Sequence, residues 1–159
     1  MNTKDKILNA FKRNIKSKNN FDLIIDILIF HFQKFSEDIN FSEYSFSKNC
    51  LNLLLIKNEL YNLHLELTNH FIQIQFYDNS EMLIYFENDL AINDIKTLIS
   101  SIFNGKFEIE IFLDSSNNIV SKKLKFNDVN LSKFNKEYKI KIFKNEFLKV
   151  EKHKGISLF

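Results

Sequence analysis

The chain has 159 residues, 45% of them hydrophobic and 26% charged, with a formal net charge of +2. That length suits one sizeable core, and no Gly-, Ser- or Pro-rich stretch interrupts it, so a single domain over 1–159 is expected. One cysteine excludes an intramolecular disulfide framework, and two glycines exclude a phosphate-cradling loop or a dinucleotide fingerprint.

In chain order, Thr3 is placed to cap a first helix whose Ile7, Leu8, Phe11 and Ile15 form one apolar face under a lysine-rich surface. Asn19 and Asn20 break that pattern and cap a second helix over 21–35. Phe21, Ile24, Ile25, Leu28, Phe32 and Phe35 follow its 3.6-residue period, while Leu23, Ile27 and Phe30 widen the stripe, so deep burial is expected. His31 reads as a hydrogen-bonded core or boundary histidine. The segment 36–49 mixes Ser, Asn, Glu and Asp irregularly with Phe41, Tyr44 and Phe46, and reads as a long loop with anchoring aromatics.

Strands dominate beyond it. Segments 51–57 and 59–67 alternate apolar and polar residues, as do Ile72, Ile74 and Phe76, and a turn at 78–80 leads to Met82, Ile84 and Phe86. Ile92, Ile95, Leu98, Ile99, Ile102 and Phe103 then repeat at helical spacing, and Gly105 ends the helix. A hairpin follows, with Phe107, Ile109, Ile111 and Leu113 going out, a turn over 114–118, and Val120, Leu124 and Phe126 returning. A polar loop over 127–135 precedes a strand at Tyr138, Ile140 and Ile142; a turn at Asn145, a segment over 147–151 and an apolar tail over 156–159 complete the chain. The order predicts an α+β fold: an antiparallel β-meander sheet with N-terminal helices and one central amphipathic helix packed on one side.

No catalytic signature emerges. Cys50 fits no nucleophile motif and reads as a small core residue. His64, Glu66 and His70 are the one close group of metal-type residues; His64 and Glu66 share a strand face, but the paired cysteines of a zinc deaminase are missing. Neither catalytic nor metal-binding residues are assigned, and no cofactor is expected. The longest apolar run, 23–32, contains Asp26 and is well short of the roughly 20 residues a membrane span needs. With no secretory signal and a lone cysteine, the expected setting is a soluble cytoplasmic one, without membrane association.

Charge distribution says more than the total. Residues 1–18 hold six Lys/Arg and one Asp, a net +5; residues 19–105 hold four Lys and twelve Asp/Glu, a net −8; residues 106–159 hold twelve Lys and seven Asp/Glu, a net +5. The acidic middle, including Glu37, Asp38, Glu43, Glu66, Asp78, Glu81 and Glu87, would steer a basic partner if its groups cluster. The lysines Lys122, Lys123, Lys125, Lys139 and Lys141 offer a rival reading as a nucleic-acid surface. A single Arg in the chain disfavours it, because Arg supplies the bidentate contacts to bases and phosphates. Abundant Lys, Asn, Ile and Phe point to an A/T-rich genome, so lysine content is partly background.

The amphipathic helix running from Asp94 through Phe103 to the Gly105-Lys106 step, followed by the charged hairpin that ends at Phe126, resembles small immunity proteins encoded beside bacterial polymorphic and contact-dependent inhibition toxins. The resemblance implies a non-enzymatic protein that occludes a cognate toxin by stoichiometric binding. Under it, a basic nuclease-type toxin would meet the acidic residues named above and Tyr44, with Phe41 and Tyr77 as further aromatic anchors. Oligomeric state is left open.

Overall fold

The apolar face read for the first helix is the face that α1 (Thr3–Asn14) buries: Ile7, Leu8 and Phe11 all lie in the core. The computed structural model describes residues 3–14, 19–34, 40–47, 50–56, 62–76, 80–86, 90–139, 149–155 and 157. Ile15 and Phe35 lie outside them. α2 (Asn20–Phe32) begins as its sequence dictates, the Asn19 side chain accepting a hydrogen bond from the Asp22 amide at 2.8 Å. It buries Phe21, Ile24, Ile25, Leu28, His31 and Phe32. The widened stripe is not buried: Leu23 is 41% and Phe30 56% exposed, and the Lys34 ammonium lies 3.9 Å from the Phe30 ring centroid. One helix contact explains the difference. α2 packs its 3.6-period face inward, and residues off that face have no second layer to enter.

The chain divides into two compact units, Met1–Thr97 with Leu158–Phe159, and Leu98–Ser157. In the first, β1 (Asn40–Ser47), β2 (Cys50–Ile56), β3 (Asn62–Thr68), β4 (Phe71–Phe76) and β5 (Ser80–Tyr85) form an antiparallel meander in sequence order. Leu51, Leu53, Leu55, Leu63, Leu65, Leu67, Ile72, Ile74 and Phe76 point to one side and are buried. The helices cover that side at its β1 end: Phe46 of β1 meets Phe11 at 5.2 Å and Phe21 at 6.1 Å, and Phe11 meets Phe32 at 5.7 Å between ring centroids. The phenylalanine-rich composition thus serves a tilted aromatic cluster joining helices to sheet.

β1 corrects the expectation of a loop over 36–49. Its alternation is broken by a bulge between Phe41 and Glu43, so Phe41 pairs with Leu55 and Tyr44 with Leu53, two inner-row partners for residues three apart. An inserted residue shifts the phase and hides a strand from a period-two reading.

The boundary between units falls within α3 (Leu90–Phe103), whose Leu98, Ile99, Ile102 and Phe103 are buried. In the second unit β6 (Phe107–Leu113) and β7 (Ile119–Phe126) form the expected hairpin. Its turn is held by the Asp114 carboxylate, which accepts from the amides of Ser116 and Asn118, each at 2.9 Å, while Asn117 takes φ 60°. β8 (Lys136–Lys139) adds beside β7, and β9 (Lys149–Lys154) adds beside β6, giving the order β8-β7-β6-β9. The expected polar loop at 127–135 contains a 3-10 helix, Val129–Phe134, capped by Asp128 and anchored by buried Leu131. The α+β class is as read, although the antiparallel strands form two sheets where one was expected.

The chain's two glycines meet. Gly105 leaves α3 with φ 65°, and its amide donates to the Ile102 carbonyl at 3.1 Å. Gly155, just past β9, donates to the Phe107 carbonyl at 2.7 Å; a Cβ there would lie 2.5 Å from the Gly105 carbonyl oxygen and 2.8 Å from the Phe107 ring.

Two outcomes follow from these contacts. Gly155→Ala should destabilise the protein by about 1–3 kcal/mol in urea unfolding and free β9 amides for hydrogen exchange, because backbone blocks the new methyl. Burial, with a further contribution from the Lys34 charge, lowers the His31 pKa from 6.5 to about 4. The folded state therefore binds fewer protons than the unfolded state between those values, and stability should be full above pH 6.5 and fall as pH drops toward 4. After allowance for partial solvation the loss is up to about 2 kcal/mol; it should shrink in His31→Gln, and NMR titration of the imidazole should show it neutral at about pH 5.

Candidate functional site

The alternation that buries one side of the first sheet displays the other in cross-strand rows. One row runs Glu43, Leu54, His64, Gln75, Glu81 by backbone register, and the next runs Ser45, Asn52, Glu66, Gln73, Leu83. Beyond them Ser47 pairs with Cys50, Cys50 with Thr68, and Phe71 with Tyr85. His64 Nε2 and Asn52 Oδ1 are 2.8 Å apart, which fixes the imidazole along the sheet. At the β5 end the surface turns apolar. Leu83 is 42% and Tyr85 57% exposed, and the Tyr85 ring meets Phe71 edge-on at 6.0 Å.

The sequence-nominated contact residues are distributed unevenly. Glu66 is a half-buried member of the second row and makes no ion pair with any described residue, and the backbones of Glu43 and Glu81 occupy the two ends of the first row. Tyr44 pairs with Leu53, in a row whose members Leu53, Leu65 and Ile74 are buried. Glu37, Asp38, Asp78, Glu87 and Tyr77 lie outside the described residues. Phe71, Leu83 and Tyr85 were not nominated. Their signal is in the text Met82-Leu83-Ile84-Tyr85-Phe86, a strand apolar in both phases, whereas period-two reading extracts only the phase that faces the core.

The group His64, Glu66, His70 does not close on a common point. His64 is engaged by Asn52, and His70 sits in the exposed turn after β3, where its amide donates to Thr68 Oγ1 at 3.1 Å. Among the described residues no three His, Cys, Asp or Glu side chains group to hold a metal ion. Cys50, expected in the core, is half-buried in an outer row, because β2 begins one residue before its first buried leucine. Among the described residues no helix is long and apolar enough to cross a membrane.

The second sheet treats its polar face differently. Glu110, with an 11% exposed side chain, receives Lys125 Nζ at 2.9 Å and Lys152 Nζ at 3.0 Å. Lys152 also lies 3.9 Å from Glu108, and Lys123 lies 3.9 Å from Glu137. Hydrogen bonds from Lys125 and then Lys152 hold the Glu110 carboxyl below the usual carboxylate range. Lys122 pairs with Ile111 and is buried on the opposite side. Of the lysines nominated for nucleic acid, two are thus tied to carboxylates, one is buried, and Lys139 is exposed; Lys141 lies outside the described residues.

No protein-family model matches the chain, and no curated protein or solved structure matches it.

Glu110→Gln should lower stability by about 1 kcal/mol, since the lysines it bridges remain largely solvated. Its depressed folded-state pKa makes this contribution complete above pH 4.5 and lost as pH falls through the folded value. Urea titrations from neutral pH to about pH 3 should therefore show wild type and variant converging in acid.

Proposed function

We propose that this chain is a non-enzymatic binding protein that neutralises a cognate bacterial toxin by stoichiometric occlusion, with the outer face of the first sheet as its contact surface. One observation carries the choice of surface: exposed Leu83 lies in the cross-strand row of Glu66, a carboxylate that no described residue neutralises, and exposed Tyr85 lies opposite Phe71 in the next row. Tyrosine gives a large contact area at low entropic cost, and an aromatic anchor beside a polar row is the composition of an interface hot spot. Glu66 suits a basic partner and would raise its association rate. The toxin class and the occlusion mechanism come from the resemblance to immunity proteins, and a cytoplasmic setting belongs to the same reading. A nucleic-acid surface is less well supported, because Lys123 and Lys125 already face Glu137 and Glu110 across the sheet.

The test is capture from the native host at low salt, with recovered protein and nucleic acid both identified, followed by assay of the captured toxin. The expected result is one basic protein, released by high salt and inhibited at equal stoichiometry. Tyr85→Ala should weaken binding at least about tenfold, and Glu66→Lys should act mainly on the association rate. Recovery of nucleic acid alone, or full inhibition by both variants, would remove this reading.

A further inference from the structure

The chain contains one Asn-Gly step, Asn104-Gly105, and it falls where α3 ends. This dipeptide has a chemistry of its own. The backbone nitrogen of the second residue can attack the side-chain carbonyl carbon of the asparagine, and a glycine, having no Cβ, leaves that approach open. In the fold both reacting groups are engaged elsewhere. Asn104 Nδ2 donates to the Ser100 carbonyl at 2.7 Å, one turn back along the helix and away from the peptide group that would attack. The Gly105 amide donates to the Ile102 carbonyl at 3.1 Å, so the proton that must leave its nitrogen is held. The Lys106 amide donates to the Ser101 carbonyl at 2.8 Å, closing the exit as a Schellman turn. β9 covers the far side: Gly155 lies against the Gly105 carbonyl without room for a Cβ, and its own amide donates to the Phe107 carbonyl.

We propose that Asn104 is a deamidation site that the closed helix exit keeps unreactive, and that its modification marks chains in which this exit has opened. Asn104 is only half-buried, so base and water reach it once the two hydrogen bonds break. The Gly105 nitrogen then loses its proton to base and bonds to Asn104 Cγ; the bond from Cγ to Nδ2 breaks, and that nitrogen takes up a proton and leaves as ammonia. Water opens the resulting cyclic imide at either carbonyl, giving an aspartate or an isoaspartate at position 104. No redox partner is consumed. Both products place a carboxylate at the C-terminal end of α3, where the helix dipole disfavours it, and both remove the donor to Ser100. Isoaspartate also adds a methylene to the main chain directly before Gly105, whose carbonyl has no slack against Gly155. A modified exit therefore closes less well, which makes the mark irreversible in structure as well as in chemistry. All of these contacts lie within the unit Leu98–Ser157, and the inference does not depend on the proposed partner.

The experiment incubates the full chain in mildly alkaline buffer, with and without guanidinium chloride, and follows the tryptic peptide 97–106 by mass spectrometry. Asn104 is the only amide side chain in that peptide, so the mass gain on conversion to an acid is assigned without ambiguity, and an isoaspartate-specific enzyme distinguishes the two products. Conversion should be at least about tenfold slower in buffer than in denaturant, because it must pass through local opening. Gly155→Ala, which loosens β9 from the exit, should raise the rate in buffer and leave the rate in denaturant unchanged. If that variant fails to fold, Asn104→Asp supplies the second readout: it should stay folded by circular dichroism and exchange the amides of Lys106 and Gly155 faster than the wild type. No conversion in denaturant, equal rates with and without it, a folded Gly155→Ala that converts at the wild-type rate in buffer, or wild-type exchange in Asn104→Asp would overturn the proposal.

Discussion

The strict alternation of β2, β3 and β4 is the constraint on which the first unit depends. Nine side chains, from Leu51 to Phe76, point to one side and are buried. Each contributes about 1.5–3 kcal/mol by leaving water. A one-residue slip of a single strand would turn three of them outward and bring polar partners in, at a cost comparable with the whole stability of about 5–15 kcal/mol typical of a domain. Register is therefore fixed by the core. The outer rows that carry His64, Glu66, Gln73 and Leu83 are fixed with it, so the candidate surface is a by-product of packing until its own residues are considered.

Those residues differ in kind between the two sheets. On the second sheet, cross-strand register places Glu108 opposite Lys125 and Lys154, and Glu110 opposite Lys123 and Lys152; the carboxylates answer the ammonium groups locally. Pairs whose lysines are this exposed add little stability each, about 0–1 kcal/mol, and two carboxylates facing four lysines reduce the positive charge of the face without cancelling it. The first sheet has no such answer in its middle rows. Amides, an imidazole and Glu66 stand between Leu54 and Leu83 without a lysine among them. A surface of this kind interacts through shape and a few unpaired groups, which is the physical ground for placing recognition there.

Legibility followed the strength of periodicity. α1, α2, the strands from β2 to β7 and the α3 stop at Gly105 were all visible, because each combines a clean period with a cap or turn residue. β1 was not, because its bulge sets Phe41 and Tyr44, three residues apart, in register with the buried Leu55 and Leu53. The segment over 147–151 carries no strand assignment in the sequence reading, and nothing local could say that β9 would form and pair with β6. The contact of Gly155 with Gly105 is similarly silent in the sequence. Each glycine reads as a local feature, and only the long-range arrival of β9 at the helix exit shows that one must lack a Cβ so that the other's carbonyl can approach.

The candidate surface was legible only in part, for a different reason. Glu66 was nominated from charge, and charge is visible residue by residue. Leu83 and Tyr85 were hidden by the method that located β5, since assigning Met82, Ile84 and Phe86 to the core implies that the other phase is wet and polar. In β3 and β4 that implication holds, with His64, Glu66, Gln73 and Gln75 off phase. In β5 it fails, and the failure is informative. A strand at a sheet edge gains nothing in its own fold from exposing a leucine and a tyrosine on its solvent side, and leaving its edge without lysine adds a risk of unwanted pairing. Local rules broken without a local gain are expected at functional sites, and the exposed Leu83 and Tyr85 of β5 are such a case.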